Sequence, residues 1–148
     1  MVCSVSRTSS REERRKIVVY ADGGSRHNPG PAAIGIVVLD EDSHVLEQYK
    51  EYLGVATNNV AEYTALLKAL ELSARYTSGE VHVFMDSEIV VKQMNGSYQI
   101  KAPHLLPFYK SVRKCEEAFK KVIYRNVPRT NPYQLQADKL VNEALDEK

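Results

Sequence analysis

Cysteine is scarce in this chain of 148 residues, which has only Cys3 and Cys115. Two cysteines cannot build a disulfide framework, and no Cys/His cluster has the spacing of a zinc site. A bond between them would have to pin the N-terminus to the domain. Disulfides are rare in cytosolic proteins outside hyperthermophiles, so both are expected as thiols, with Cys115 a small apolar residue on a helix. Long hydrophobic runs are also missing. The longest covers a few residues, far short of the ~20 a membrane-spanning helix requires. The opening MVCSVSRTSSREERRK holds no apolar stretch of signal-peptide length. Neither secretion nor a membrane is expected, and the expected location is cytoplasmic. The sequence has no internal repeat. It has almost no net charge either: 20 Lys and Arg against 19 Asp and Glu leave +1, which at face value argues against a polyanionic partner.

What is present suits one domain, since a usual domain is roughly 100–150 residues and 43% of this chain is hydrophobic. The near-neutral total conceals a distribution. Residues 1–16 sum to +3, residues 17–62 to −5 and residues 101–125 to +5, so an acidic half faces a basic segment. Segregation of this kind is ordinarily a pair of solvated faces. It becomes informative only if the acidic side chains converge.

Residues 1–15, rich in Ser and Arg and without periodicity, read as a flexible basic tail, with the folded domain over 16–148. Three β-rich runs follow, Ile17–Asp22, Ala32–Leu39 and Val45–Leu53, broken by Gly23-Gly24, by Asn28-Pro29-Gly30-Pro31 and by Asp40-Glu41-Asp42-Ser43. Connections this short predict an antiparallel meander. Thr57-Asn58-Asn59 opens a helix ending near Tyr76, with apolar positions 63, 66, 67, 70 and 74. A fourth strand is expected over Glu80–Asp86 and a short helix over Ser87–Met94. Another helix is expected over 104–120, a fifth strand over Val122–Val127 and a last helix over about Tyr133–Leu145. The order β-β-β-α-β-α-α-β-α implies an α/β fold, a mixed five-stranded sheet of three antiparallel strands and then parallel ones, flanked by helices.

Two strands have the same layout. IVVYAD and VHVFMD each end in an aspartate, Asp22 and Asp86. Alternation places Val18, Tyr20 and Asp22 on one face, and His82, Phe84 and Asp86 on the corresponding face. A right-handed crossover makes these strands parallel neighbours roughly 4.8 Å apart, a spacing that suits two carboxylates sharing one cation. At about 100° per residue, Glu62 and Asp138 each flank the apolar stripe of their helix. Any one of these acids alone reads as an ordinary solvated residue. The argument rests on the four together and on their neighbours.

Those neighbours are Asp22-Gly23-Gly24-Ser25 with Asn28-Pro29-Gly30-Pro31-Ala32-Ala33, then Thr57-Asn58-Asn59-Val60-Ala61-Glu62-Tyr63, Asp86-Ser87 and Ala137-Asp138. In combination and order they resemble type 1 ribonuclease H over about residues 16–146. The stretch DSEIVVKQMNG and the compact segment after it are similar to the archaeal-type branch, which lacks the long basic handle region. No separate hybrid-binding domain is expected before the catalytic one, since the tail has only about fifteen residues.

The resemblance implies a ribonuclease H-like fold and an endonuclease that hydrolyses the RNA strand of RNA–DNA hybrids to 5′-phosphate and 3′-hydroxyl ends. It implies two Mg²⁺ or Mn²⁺ ions, which suit carboxylate and water oxygens. Asp22 would bridge them, Asp138 would join Asp22 on the ion that activates water, and Glu62 and Asp86 would hold the leaving-group ion. Substrate contacts are expected from Gly23, Gly24, Ser25, Asn58, Asn59, Ser87 and Glu88. Thr57 is expected on a DNA-strand phosphate, with helix capping as its alternative. Lys101, and with it Lys110, Arg113 and Lys114, would add diffuse phosphate attraction. Gly23 and Gly24 would admit close backbone approach.

Many members carry a histidine in the loop before the last acid. His27, His44, His82 and His104 all lie elsewhere, and Arg129, nine residues before Asp138, is the candidate replacement. The asparagine expected four residues before that acid is Gln134 here. Some archaeal-type relatives also cut double-stranded RNA, which the sequence leaves open. A non-catalytic hybrid-binding module of the same fold is disfavoured, because binding a phosphate backbone needs no clustered negative charge. A different nuclease or strand-transfer enzyme on the same sheet is disfavoured by the DGGS and TNN contexts. The chain is expected to act as a monomer.

Overall fold

The computed structural model describes residues 14–148. Cys3 and most of the expected tail lie outside them. The last two tail residues are held, not loose. The Arg14 N–H donates to Tyr76 O at 3.0 Å, its guanidinium lies over the Tyr76 ring, and Arg15 O accepts from Glu80 N at 2.9 Å.

Five strands form one sheet in the order β3-β2-β1-β4-β5, with β1 over Lys16–Ser25, β2 over Gly30–Leu39, β3 over Val45–Ala56, β4 over Glu80–Met85 and β5 over Lys121–Asn126. The first three make the antiparallel meander, and β4 pairs in parallel with both β1 and β5. The register sets Val18 beside His82 and Tyr20 beside Phe84. Alternation therefore brings Asp22 and Asp86, two residues further on, to the same face.

Each face of the sheet takes one long helix. Ile17, Val19, Ala21, Val81, Val83 and Met85 pack against α1, Asn58–Ser73. Tyr20, Val37 and Leu39 pack against α4, Pro132–Glu147, with the Tyr20 ring stacked on Phe84 at 4.9 Å. Helix α1 ends earlier than expected, because Ser73 O draws the Tyr76 and Thr77 N–H groups into a turn. Helix α1 also meets α3, Leu106–Glu116, on its far side, so most of its circumference is buried. Glu62 consequently lies inside the buried surface rather than flanking it, at 9% exposure.

The helix expected over 104–120 is shorter. A 3₁₀ turn at Pro103–Leu105 precedes α3, whose second residue is Pro107. Bonds from Ala118 N to Cys115 O and from Phe119 N to Glu116 O then turn the chain into β5. Helix α2 occupies Glu88–Met94, with Ser87 as its N-cap. Cys115 is buried at 1% exposure, as expected, but it is disulfide-bonded rather than a thiol.

Two glycines let the helices approach. A Cβ on Gly23 would lie 2.3 Å from Ala61 O, and one on Gly35 would lie 2.2 Å from Ala137 O. Gly35 pairs with Asp22 across β1 and β2. Ala61 precedes Glu62 and Ala137 precedes Asp138, so both acid-bearing helices touch bare backbone one residue before their acid. Gly24 has nothing within 4 Å of its would-be Cβ, so of the pair only Gly23 is needed for the packing of α1.

Candidate active site

At the C-terminal ends of β1 and β4, carboxylate oxygens of Asp22, Glu62 and Asp86 lie within 4.8 Å of one another. Asp138 completes the group from α4 and hydrogen-bonds Asp22. Glu62 is held from two sides: its Oε1 accepts from the Gly23 N–H at 2.9 Å, and the Ser87 side chain hydrogen-bonds it. Together with Arg129, these four acids border a cavity of about 480 Å³.

The electrostatics are those of negative charge confined away from water. Burial first, and then repulsion from Glu62, Asp86 and Asp138, pushes the Asp22 carboxyl up to about 9. Burial and Asp86 raise Glu62 to about 8, against the opposing hydrogen bonds from Gly23 and Ser87. Asp86 is raised by burial, an effect that a hydrogen bond from its own backbone and then Arg129 partly offset. Among the described residues, compensating positive charge is sparse: Arg129 keeps a 72% exposed side chain and its one ion pair here is with Asp138 Oδ1, at 3.5 Å. A set of hard oxygen donors short of positive charge is the chemistry of a divalent-cation site.

The remaining expected residues divide by location. Gly23, Gly24, Ser25, Asn58 and Arg129 line the cavity. Asn58 Oδ1 accepts from both the N–H and the hydroxyl of Ser25, at 2.9 and 3.0 Å. Thr57 caps α1, its Oγ1 accepting from Val60 N at 3.2 Å, so the capping alternative is realised while the hydroxyl proton stays available to a phosphate. Ser87 acts through Glu62 and as the cap of α2 instead of bordering the cavity itself. Asn59 and Lys101 share an adjoining cleft beyond α2 with the exposed Tyr98. Glu88 points to solvent and pairs with Lys92 at 2.8 Å.

Two other expectations change. Arg113 is spent within the fold, on Met94 O at 2.7 Å and on Glu116 at 2.8 Å, so it contributes little diffuse attraction. Gln134 is fully buried and donates from Nε2 to Ala21 O at 3.0 Å, tying the start of α4 to the strand beside Asp22. Sequence reasoning missed Arg26 and Asn142, which also line the cavity. Asn142 was discoverable as the residue one helical turn after Asp138.

A family model described as reverse transcriptase-like matches residues 20–144. The bifunctional protein Rv2228c of Mycobacterium tuberculosis is 45% identical over 133 residues, which is 88% of this chain and 36% of that protein. The ribonuclease HI of Halobacterium salinarum is 38% identical over 132 residues, 89% of this chain and 65% of that protein. The chain belongs to the ribonuclease H family. The solved RNase H1 structure from Halobacterium salinarum superposes on this ribonuclease H domain with a TM-score of 0.85 at 37% identity, covering 90% of this chain and 99% of that one. LC11-RNase H1, solved in complex with an RNA/DNA hybrid, matches at 40% identity with a TM-score of 0.82, covering 88% and 97%. The ribonuclease H domain spans about a third of the first curated relative and just under two thirds of the second.

Proposed function

We propose that this chain is a metal-dependent endonuclease that hydrolyses the RNA strand of RNA–DNA hybrids, leaving 5′-phosphate and 3′-hydroxyl ends. The observation that carries the reading is the convergence of four carboxylates, three of them with raised pKa values, in one open cavity. A module that only bound a phosphate backbone would gain nothing from negative charge placed where the phosphate must approach. Two relatives named ribonuclease H, one solved with an RNA/DNA hybrid, support the substrate class.

Divalent Mg²⁺ or Mn²⁺ ions, two in our reading, supply the positive charge that brings water and phosphodiester together. Asp22 interacts with all three other acids, which suits a ligand shared between two ions. Glu62 and Asp86 would complete one set and Asp138 the other. The Gly23 N–H and Ser87 hold Glu62 in place, so its carboxylate needs little reorganisation on loading.

Asn58 has its carbonyl oxygen engaged by Ser25, which leaves its NH₂ free to donate into the cavity. With Ser25 and Gly24 it forms a short polar rim suited to ribose 2′-hydroxyls in a wide minor groove. Glu88 is read with Asn58 as a minor-groove contact, Thr57 as a contact to a DNA-strand phosphate, and Asn59 and Lys101 as further substrate contacts. Arg129, exposed and 3.5 Å from Asp138 Oδ1, takes the place of the missing loop histidine, assisting proton transfer or product release.

The test is a side-by-side incubation of end-labelled hybrid, DNA duplex and RNA duplex with Mg²⁺ or Mn²⁺. RNA-strand cleavage in the hybrid, with the DNA duplex intact, is the expected result. The RNA duplex lane decides whether double-stranded RNA is a second substrate. No metal-dependent cleavage of the hybrid would overturn the proposal.

A further inference from the structure

The loop between β1 and β2 lies against both acid-bearing helices, and its grip on them is symmetrical. On one side Asn58, one turn before Glu62, receives the Ser25 N–H and hydroxyl, while its own N–H donates to Asn28 Oδ1 at 3.0 Å. On the other side Arg26 reaches α4. Its Nη2 donates to Asn142 Oδ1 at 3.3 Å and its Nη1 pairs with Asp146 Oδ1 at 2.8 Å. Asn142, one turn after Asp138, passes the contact on, donating from Nδ2 to Asp138 O at 3.1 Å and to Asp138 Oδ2 at 3.5 Å. The other carboxylate oxygen, Oδ1, faces Arg129.

We infer that Arg26 is a positioning residue that orients the Asp138 carboxylate through Asn142. An amide has two ends that differ only in which accepts and which donates. A guanidinium can only donate, so Arg26 forces the Asn142 oxygen toward itself and thereby turns the NH₂ toward Asp138. Asp146 holds the guanidinium in that place, and the two-pronged fork makes the arrangement directional in a way a lysine ammonium is not. The loop that begins four residues after Asp22 therefore registers the last acid against the first. The role assigned to Arg26 is orientation of the Asp22–Asp138 half of the site for a cation, and direct contact with substrate is not part of it.

This inference rests on the metal-dependent reading above, so its test has a readout that needs no substrate. Mg²⁺ or Mn²⁺ binding is measured by calorimetry on the full chain and on Arg26→Ala, Asn142→Ala, Arg26→Lys and the double Ala variant. Unfolding of each metal-free variant is followed in parallel. Outer hydrogen-bond partners of metal ligands are worth about 10–100-fold in affinity, and this exposed relay belongs below that range. We expect Asn142→Ala to weaken metal binding by about three- to tenfold and Arg26→Ala to weaken it by somewhat less. The double variant should be no worse than Asn142→Ala alone, because the two residues act in series. Arg26→Lys should recover only part of the loss.

Metal binding unchanged in Asn142→Ala, or additive losses in the double variant, would overturn the relay. So would an Arg26→Ala variant that raises KM for hybrid while binding metal normally, since it would show direct substrate contact. A wild-type chain that binds metal but cleaves no hybrid would sink the proposed function and leave the relay standing.

Discussion

Placing an alanine at Gly23 tests how the site is assembled. Its Cβ would sit 2.3 Å from Ala61 O, 2.4 Å from Ala61 C and 2.8 Å from Glu62 N, all backbone atoms of α1. An unstrained carbon–oxygen contact needs about a further 1 Å, so strand and helix must part by about that distance. Overpacking of a core costs about 1–3 kcal/mol, and with backbone on both sides the upper half of that range applies. The same displacement lengthens the 2.9 Å bond from Gly23 N to Glu62 Oε1 and shifts Glu62 from its partners. Misplacing a reacting group by 1 Å costs about 10²-fold in rate.

Urea unfolding monitored by circular dichroism, with cleavage of labelled hybrid at saturating Mg²⁺, measures both effects. Gly35→Ala should behave similarly, acting through Ala137 and Asp138. Gly24→Ala, with nothing near its Cβ, should keep wild-type stability within about 0.5 kcal/mol. Wild-type stability and rate in Gly23→Ala would refute the reasoning, because α1 would then not be seated by bare backbone contact.

Three further outcomes are expected. Asp22 has its pKa raised in the fold to about 9 from an ordinary 3.8, so the folded state binds the proton more tightly than the unfolded chain. Stability of the metal-free protein should therefore fall as pH rises from about 4 toward 9, with Asp22→Asn flattening the slope and Mg²⁺ restoring the loss at high pH; melting curves across that range measure it. Thr57→Ala should cost about 1 kcal/mol from the lost helix cap, whereas Thr57→Asp keeps the cap but sets a carboxylate against the DNA strand, lowering hybrid affinity with stability preserved; titration of catalytically silenced protein with hybrid separates the two. Arg129→Ala should slow turnover several-fold while metal binding by calorimetry is kept, and unchanged kinetics would show that Arg129 does not replace the missing histidine.

The strands and the order of elements were legible because alternation and turn residues are local signals. The pairing of Asp22 with Asp86 followed from two six-residue runs with the same pattern, and the observed register agrees. Burial of Glu62 was not legible, since it depends on α3 covering the far side of α1, a contact that no local period encodes. The Cys115 bond was also missed, because spacing says nothing about which segments fold back together. Gly35 and Gln134 look like an ordinary strand residue and an ordinary helix-start residue until α4 is laid on the sheet. Arg26 and Asn142 are separated by 116 residues, and only the packed structure brings them together.

Near-neutral net charge, which first argued against a polyanionic partner, has a local origin. Four of the 19 acidic side chains gather at one point, where the reading places cations rather than repulsion. The most direct measurement is single-turnover cleavage of the RNA strand in a labelled hybrid by wild-type and Asp22→Asn protein, with folding of each checked by circular dichroism. Mg²⁺-dependent cleavage by the wild type and none above background by a folded Asp22→Asn protein is the predicted result. Cleavage by Asp22→Asn at the wild-type rate would contradict it.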